Sequence, residues 1–466
     1  MSFWMLKHPQ HLTAIMDEES GKEITYGELA SLVQAIIGKL PTASSKMLGF
    51  ILCNNEVEPL IAYLAALQKK DAVCLLNNAI HHNLLIRLVH LYQPEWIYAP
   101  DVVVLPESYQ VIHQSDRYFI WVKKTGMFQE HHRIHPDVAV LLSTSGTTGS
   151  PKLVKLSYKN IQANAESIAQ YLELQQEDRP ITTLPMHYSY GLSVIHSHFQ
   201  VGATVLLTNQ SVTSKRFWDF FRERKATSLA GVPFIYQMLE RLKLHTMNLP
   251  SLRTLTQAGG RLEPRLVKHF HQMAMQKQWR FFVMYGQTEA TARISYVPPD
   301  RLSGKEDSIG VAIPQGKLSI DEGTQELIYE GPNVMLGYAN SREDLGKGDE
   351  YHGILRTGDL GKMDEDGFFY ITGRLKRFIK LFGLRVNLDE VERALEKVIP
   401  VTVACVGDDR MLAIILENEE YADKAKTEVI HLYKLHSSAV QVKVVPEIFR
   451  TANGKIDYTK ITEMVM

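Results

Sequence analysis

Ser143-Thr-Ser-Gly-Thr-Thr-Gly-Ser-Pro-Lys152 gathers hydroxyls, two glycines and one cation directly behind the apolar run Val138-Ala-Val-Leu-Leu142. These are the ingredients of a loop that holds phosphate. Gly146 and Gly149 tolerate φ > 0 and let backbone N–H groups converge on an anion; Thr144, Ser145, Thr147 and Thr148 add hydroxyl donors, and Lys152 adds charge. A Walker A loop needs Gly, four residues, then Gly-Lys-Ser/Thr. Here Pro151 stands where the second Gly belongs, and Leu153 follows Lys152 where a magnesium-binding hydroxyl is required. A Ser/Thr/Gly-rich surface turn has the same local composition, so other segments must decide.

At 466 residues and 53.0 kDa the chain exceeds one compact core, and about two to four subdomains are expected. Lys plus Arg (51) nearly balances Asp plus Glu (52), for a net charge of -1, so no global field gathers nucleic acid or an anionic membrane. Cys53, Cys74 and Cys405 are far apart, odd in number and lack Cys-x-x-Cys spacing, which argues against a disulfide framework or structural zinc and for a reducing cytoplasm. Neither a leader nor an apolar run of membrane-crossing length is expected. His131, His132 and His135 sit in a polar stretch without zincin spacing and read as a solvated linker.

Short apolar runs alternate with longer amphipathic segments. Met47 to Cys53 precedes a helical Glu58 to Gln68, and Val138 to Leu142 precedes Asn160 to Leu172. Ala203 to Leu207 leads to Lys215 to Arg224, Thr227 to Ala230 to Pro233 to Leu242, and Phe281 to Met284 runs up to Tyr285. This is the pattern of α/β units with parallel strands, whose functional loops lie at strand carboxyl ends. After about residue 305 the elements shorten and glycines crowd, giving a small β-rich subdomain over about 305–375. Beyond the basic run at Arg374 to Lys380, two helical and three strand-like segments make a small α+β unit over 376–466. The fold class expected is therefore α/β: a large N-terminal domain, 1–375, of layered α/β subdomains plus the β-rich one, followed by the α+β C-terminal unit.

Four further signals follow in order: Tyr285-Gly-Gln-Thr-Glu289, Arg356-Thr-Gly-Asp359, Gly373-Arg374 with Lys376 and Gly383, and Asn453-Gly-Lys455. With the phosphate loop they resemble the adenylate-forming superfamily of acyl-CoA synthetases, peptide-synthetase adenylation domains and luciferase, over essentially the entire chain. Ile24-Thr-Tyr-Gly-Glu-Leu29, Gly231-Val-Pro233 and Gly331-Pro-Asn-Val-Met-Leu-Gly-Tyr338 are similar to segments of that family too.

The resemblance implies roles. Thr144 to Thr148 and Lys152 take the leaving phosphates of ATP. Tyr285 offers a flat face to the purine beside Gly286 and Thr288, and Glu289 ligates Mg²⁺ with triphosphate oxygens. In isolation Tyr285 reads equally as a core aromatic and Glu289 as an acid at a helix N-terminus. Gly259, Gly260 and Arg261 would line the adenine, the missing Cβ of Gly259 admitting the ring. Asp359 would accept the ribose hydroxyls, assisted by Arg374. Asn453-Gly454 forms a tight turn that projects Lys455 toward the substrate carboxylate and α-phosphate, where attack on a polyanion concentrates negative charge. Lys376 would be the hinge of a mobile C-terminal lid that withdraws Lys455 and brings the Gly383 region to an incoming thiol. Lys in place of the Asp many relatives carry there resembles the aryl-CoA ligase branch.

Leu184 to Val194 corresponds to the family segment beside the acyl pocket. His187 and Tyr188 would gate the carboxylate, with His187 as a catalytic candidate and as a structural histidine otherwise. Gly191 stands where α-amino-acid activators place a carboxylate for the substrate ammonium, and no Asp or Glu occurs from Leu184 to Val194, which disfavours an amino acid. Ser189 stands where hydroxybenzoate activators tend to carry Asn. The expected activity is ATP-dependent conversion of a carboxylic acid to acyl-AMP and pyrophosphate, then transfer to the thiol of coenzyme A. Transfer to the phosphopantetheine of an acyl carrier protein or to an amine, and a nucleotide-binding protein without catalysis, are the alternatives.

Overall fold

The structure, a computed structural model, describes residues 2–465 except 116, 125–132, 144–151, 376, 382–383 and 452–453. It comprises two compact units, one of Met1–Glu306, Ala312–Lys317 and Glu330–Leu355, the other of Asp307–Val311, Leu318–Tyr329 and Arg356–Met466.

The first unit has two sheets with helices between them. In one sheet the strands Thr13–Asp17, Val205–Leu207, Pro180–Ile181, Ser228–Gly231, Thr254–Gln257 and Arg280–Tyr285 are successive parallel neighbours. In the other, Leu48–Cys53 lies between Ala72–Asn77 and Trp96–Pro100, parallel to both, and Ala72–Asn77 pairs in parallel with Val138–Ser143. Crossover helices such as Val57–Lys69, Tyr158–Tyr171, Lys215–Glu223 and Pro233–Arg241 follow strands as the alternation predicts. Helices Tyr26–Ile37, Val57–Lys69, Tyr158–Tyr171 and Ser189–Val201 contribute to one core that reaches from Ile15 and Val205 of the first sheet to Ile51 and Val140 of the second. This core is why Val57–Lys69 is apolar on nearly every side: its residues from Pro59 to Leu67 are all buried.

Local sequence explains the boundaries. Thr25 opens helix Tyr26–Ile37 with a capping box, its hydroxyl accepting from Glu28 N–H at 3.2 Å while the Glu28 carboxylate accepts from Thr25 N–H at 2.8 Å. Ser157 and Asn160 do the same for Tyr158–Tyr171. Pro233 sits in the first turn of its helix, where its missing N–H costs nothing.

One element departs from expectation. Between Val138–Ser143 and its following helix lies a strand, Leu153–Ser157, antiparallel to the first with Ser143 opposite Leu153. Lys155 interrupts its apolar pattern, yet the side chain is fully buried, its Nζ donating to the carbonyls of Asp344 (2.9 Å) and Lys347 (3.1 Å) and to Glu350 Oε2 (3.1 Å). The described strands on either side of the phosphate-loop sequence are thus antiparallel neighbours.

In the second unit a four-stranded sheet carries the neighbouring strands Ile354–Met363 and Phe369–Arg374, and a three-stranded sheet of Val403–Gly407, Leu412–Leu416 and Val440–Val444 packs with helices Leu388–Glu396 and Ala422–Tyr433. Arg377, from the basic run, is a structural pin. It pairs with Asp389 and with Glu392 (2.9 Å), donates to the Cys405 carbonyl (2.7 Å) and lies 3.8 Å over the Tyr458 ring. All three cysteines are buried and free. Among the described residues no helix is long and apolar enough to cross a membrane.

Candidate functional site

Pro180–Ile181, Ser228–Gly231, Thr254–Gln257 and Arg280–Tyr285 are adjacent and parallel, so their carboxyl ends open side by side into four chain segments: 182–189, 232, 258–261 and 286–289. Side chains join these segments. Ser189 Oγ lies 3.2 Å from Thr288 Oγ1. Gly259 has φ +81°, and a Cβ there would lie 2.6 Å from the Tyr188 hydroxyl and 2.9 Å from Val232 Cγ1. The space left free by Gly259 is therefore bordered by Tyr188. Gln257 Nε2 donates to the Gly260 carbonyl at 2.8 Å and holds the loop, while Gly260 and Arg261 are exposed at its rim.

Tyr285 is half-buried, its hydroxyl accepting from Gln287 Nε2 at 3.2 Å. Gly286 follows, and Glu289 lies in the 3₁₀ turn Thr288–Ala290. Tyr338 donates its hydroxyl to Glu289 Oε1 at 2.9 Å, and Lys152 Nζ stands 3.3 Å from the centroid of the same ring. One phenol thus spans a cation and a carboxylate contributed by distant parts of the chain. Burial, then the Glu289 charge, push the Tyr338 hydroxyl far above the ordinary phenol range, so it remains a donor. Sequence reasoning did not single out Tyr338 as a site residue, although it ends the segment Gly331–Tyr338 already quoted. That segment also fixes the turn. Met335 N–H donates to the Glu289 carbonyl (2.9 Å), Asn333 Nδ2 to the carbonyls of Ala290 (2.7 Å) and Arg293 (2.8 Å), and Thr291 Oγ1 to the Asn333 carbonyl (2.6 Å). Mg²⁺ is held in nucleotide sites by one or two carboxylates plus substrate phosphates. Glu289 fits that donor set, and among the described residues no three His, Cys, Asp or Glu side chains cluster into a protein-only cage.

His187 is half-buried, with Nδ1 lacking a hydrogen-bond partner, and burial pulls its pKa down to about 4. Near neutrality it offers a hydrogen bond but no positive charge. Two buried histidines on helix Ser189–Val201 shift the same way. His196, stacked on Phe3 at 4.2 Å and bonded through Nε2 to the Tyr63 hydroxyl at 2.8 Å, is pulled to about 3 by burial, and burial also lowers His198. The folded state therefore binds fewer protons than the unfolded chain below the ordinary histidine pKa. Stability is fully present above about pH 6.5 and is lost as pH falls toward 3 to 4, at up to about 1.4 kcal/mol per pH unit for each histidine. Denaturant midpoints between pH 7 and 4.5 will show that fall, and a His196→Phe variant will show a shallower one; equal slopes would remove His196 from the account.

At Gly191 a Cβ would lie 2.4 Å from the Pro185 carbonyl oxygen and 2.7 Å from that of Leu184, both backbone atoms. Any side chain at position 191 would collide with these backbone atoms. Gly191→Asp is expected to lower stability by about 3 kcal/mol or more without creating amino-acid binding. A loss below about 1 kcal/mol in urea titration would mean that the start of the helix yields easily.

In the second unit Asp359 and Arg374 are cross-strand partners, with Nε 3.2 Å from Oδ1. Asp359 is buried within the strand Ile354–Met363, next to Gly358 at φ +76°, with Thr357 Oγ1 accepting from Asp359 N–H at 3.1 Å; the Arg374 side chain is 59% exposed. Lys455 lies on a tight hairpin. Thr451 N–H donates to the Lys455 carbonyl and Gly454 N–H to the Thr451 carbonyl, both at 2.8 Å, with Gly454 at φ +75° and Arg450 bridged to Ile456. Thr144, Ser145, Gly146, Thr147, Thr148, Lys376, Gly383, His131 and His132 lie outside the described residues.

Known proteins are similar to this chain over most of its length. A family model described as AMP-binding enzyme matches residues 3–339. A 2-succinylbenzoate–CoA ligase of Listeria monocytogenes is 27% identical, across 97% of this chain and 96% of the relative. The solved o-succinylbenzoate CoA synthetase (MenE) of Bacillus subtilis bound to the acyl-adenylate OSB-AMP superimposes with a TM-score of 0.78 at 21% identity, covering 99% of this chain and 98% of that one. The same enzyme with ATP and magnesium gives 0.77 at 21% identity, with 99% of each chain covered.

Proposed function

The chain belongs to the AMP-binding enzyme family, and from that membership we propose how its residues make it an AMP-forming acid–CoA ligase. The observation that carries the reading is the Lys152, Tyr338, Glu289 arrangement beside the loops at the strand ends. A carboxylate oxygen of the substrate attacks the α-phosphorus of ATP, the bond from that phosphorus to the bridging oxygen breaks, and pyrophosphate leaves. Lys152 with the hydroxyl loop 144–148 carries the leaving phosphates, and Glu289 would hold the Mg²⁺ that neutralises them. Tyr285, Gly286, Thr288 and the Gly259–Arg261 loop bind the adenine side, while Asp359 with Arg374 binds the ribose. Lys455 stabilises charge on the attacking carboxylate and α-phosphate, and neutral His187 with Tyr188 orients the acid by hydrogen bonding. In the second step the thiol of coenzyme A attacks the acyl carbonyl and AMP departs.

We assign 376–466 as the lid that alternates between the two steps, with Lys376 as hinge and Gly383 beside the thiol path. A carrier-protein phosphopantetheine presents the same thiol and is the second acceptor to test, ahead of an amine. Buried, unpaired cysteines support a reducing cytoplasmic setting. The decisive experiment is ATP–pyrophosphate exchange with Mg²⁺ over a panel of carboxylic and α-amino acids, followed by acceptor assays with coenzyme A, a phosphopantetheinylated carrier and amines. Exchange with carboxylic acids alone and thioester formation with coenzyme A are expected. Absence of exchange with every acid overturns the proposal and leaves a nucleotide-binding protein without catalysis.

A further inference from the structure

The turn that carries His187 is held from two sides. On one side helix Ser189–Val201 closes on it: Tyr188 N–H donates to the Pro185 carbonyl at 3.0 Å, Leu192 N–H to the Tyr188 carbonyl at 2.9 Å, and Gly191 lies against the Leu184 and Pro185 carbonyls. On the other side stands Asn55, between strand Leu48–Cys53 of the second sheet and helix Val57–Lys69. Asn55 is buried, and its amide is used at both ends. Nδ2 donates to the carbonyls of Leu184 (3.1 Å) and Thr208 (3.3 Å), while Oδ1 accepts from Met186 N–H at 3.0 Å. Its backbone N–H donates to Asn209 Oδ1 at 3.0 Å. Thr182 Oγ1 ties the same segments a second time, donating to the Thr208 carbonyl and accepting from Thr208 N–H, both at 2.9 Å. One planar side chain from the second sheet thus grips Leu184 and Met186, the last residue before His187, against the segment that follows Val205–Leu207 of the first. Two donated bonds and one accepted bond on a rigid amide fix the orientation of 184–186 as well as its position, and truncating the amide leaves those buried backbone groups unpaired.

We propose that Asn55 is a positioning residue for acid binding: it sets the turn on which His187 meets the substrate carboxylate. The proposal rests on the acid-activation reading above and extends it to a residue that touches neither substrate. The hydrogen bonds of the Asn55 side chain all go to Leu184, Met186 and Thr208, whereas the nucleotide is taken by Lys152, the Gly259–Arg261 loop and the Tyr285–Glu289 segment. Loss of the amide therefore acts on the acid end of the site and spares the ATP end. A hydrogen-bonding ring displaced by even one ångström no longer meets a carboxylate at bonding distance, so the effect reaches the acid through His187 alone.

The test is ATP–pyrophosphate exchange with the carboxylic acid that the wild-type chain turns over fastest, the concentrations of acid and ATP being varied separately. Asn55→Ala is expected to raise the KM for the acid by about tenfold to a hundredfold and to leave the KM for ATP within about twofold. In a His187→Ala background the same substitution is expected to raise the acid KM by less than about twofold, because the group it places is already gone. A merely structural asparagine would move both KM values alike, or add its full factor to that of His187→Ala, and either result overturns the proposal. His187→Ala with the wild-type KM for the acid overturns it as well. Where Asn55→Ala does not give folded protein, Asn55→Asp carries the same comparison with the same direction expected, since it keeps the shape and the acceptor for Met186 N–H and gives up the donated bonds. Silence of the wild-type chain with every acid overturns the activation reading and this inference with it, whereas wild-type exchange with unselective variants overturns this inference alone.

Discussion

Replacing Lys455 by alanine is expected to lower acyl-adenylate formation by about a thousandfold while thioester formation from supplied acyl-adenylate falls by less than about tenfold. The asymmetry follows from where charge develops. In the first step an anionic oxygen approaches a phosphorus already surrounded by negative charge, so one fixed cation is worth several kcal/mol there. In the second step a thiol attacks an acyl carbonyl and the same cation has no developing phosphate charge to offset. The hairpin that presents Lys455 depends on Gly454 at φ +75° and on two 2.8 Å backbone bonds to Thr451, none of which involve the lysine side chain, so Lys455→Ala keeps the turn. Single-turnover quench-flow on each half-reaction gives the two rates. Equal losses in both would end the proposed division of labour.

Much of this was legible before any coordinates. The alternation of short apolar runs with amphipathic segments placed five strands and four helices of the first unit to within a few residues, because parallel strands buried on both faces read as continuous apolar runs. What escaped it had physical reasons. Leu153–Ser157 was hidden because a fully buried Lys155 stands in its middle, satisfied by carbonyls and a carboxylate from residues 344–350 that no local pattern announces. Arg377 read as part of a basic run, yet it is locked between Asp389, Glu392 and Tyr458. Arg293 was passed over for the converse reason: four residues beyond Glu289, nothing local says that its side chain is buried against the Tyr190 ring. Charged side chains buried by tertiary contacts are the class that periodicity cannot place.

Removing the Glu289 carboxylate is expected to have the other large effect. Glu289→Ala should reduce ATP–pyrophosphate exchange by about a hundredfold to a thousandfold and raise the Mg²⁺ concentration needed for half-maximal rate. The competing explanation is structural, since Glu289 also accepts the Tyr338 hydroxyl and its loss releases that ring from its place beneath Lys152. Tyr338→Phe separates the two. It deletes the hydroxyl at 2.9 Å but keeps the ring that meets Lys152 and leaves the carboxylate to hold an ion. The turn itself stays anchored by backbone bonds from Met335 and side-chain bonds from Asn333, which neither substitution touches. Tyr338→Phe is therefore expected to lose about tenfold or less with an unchanged Mg²⁺ requirement, the cost of one hydrogen bond to a charged group. Because the Tyr338 phenol stays protonated far beyond the ordinary range, wild-type rates should show no alkaline limb that this variant abolishes. If the two variants lose equally and Mg²⁺ dependence is the same in both, Glu289 serves to hold Tyr338, and the ion must find its protein ligand elsewhere.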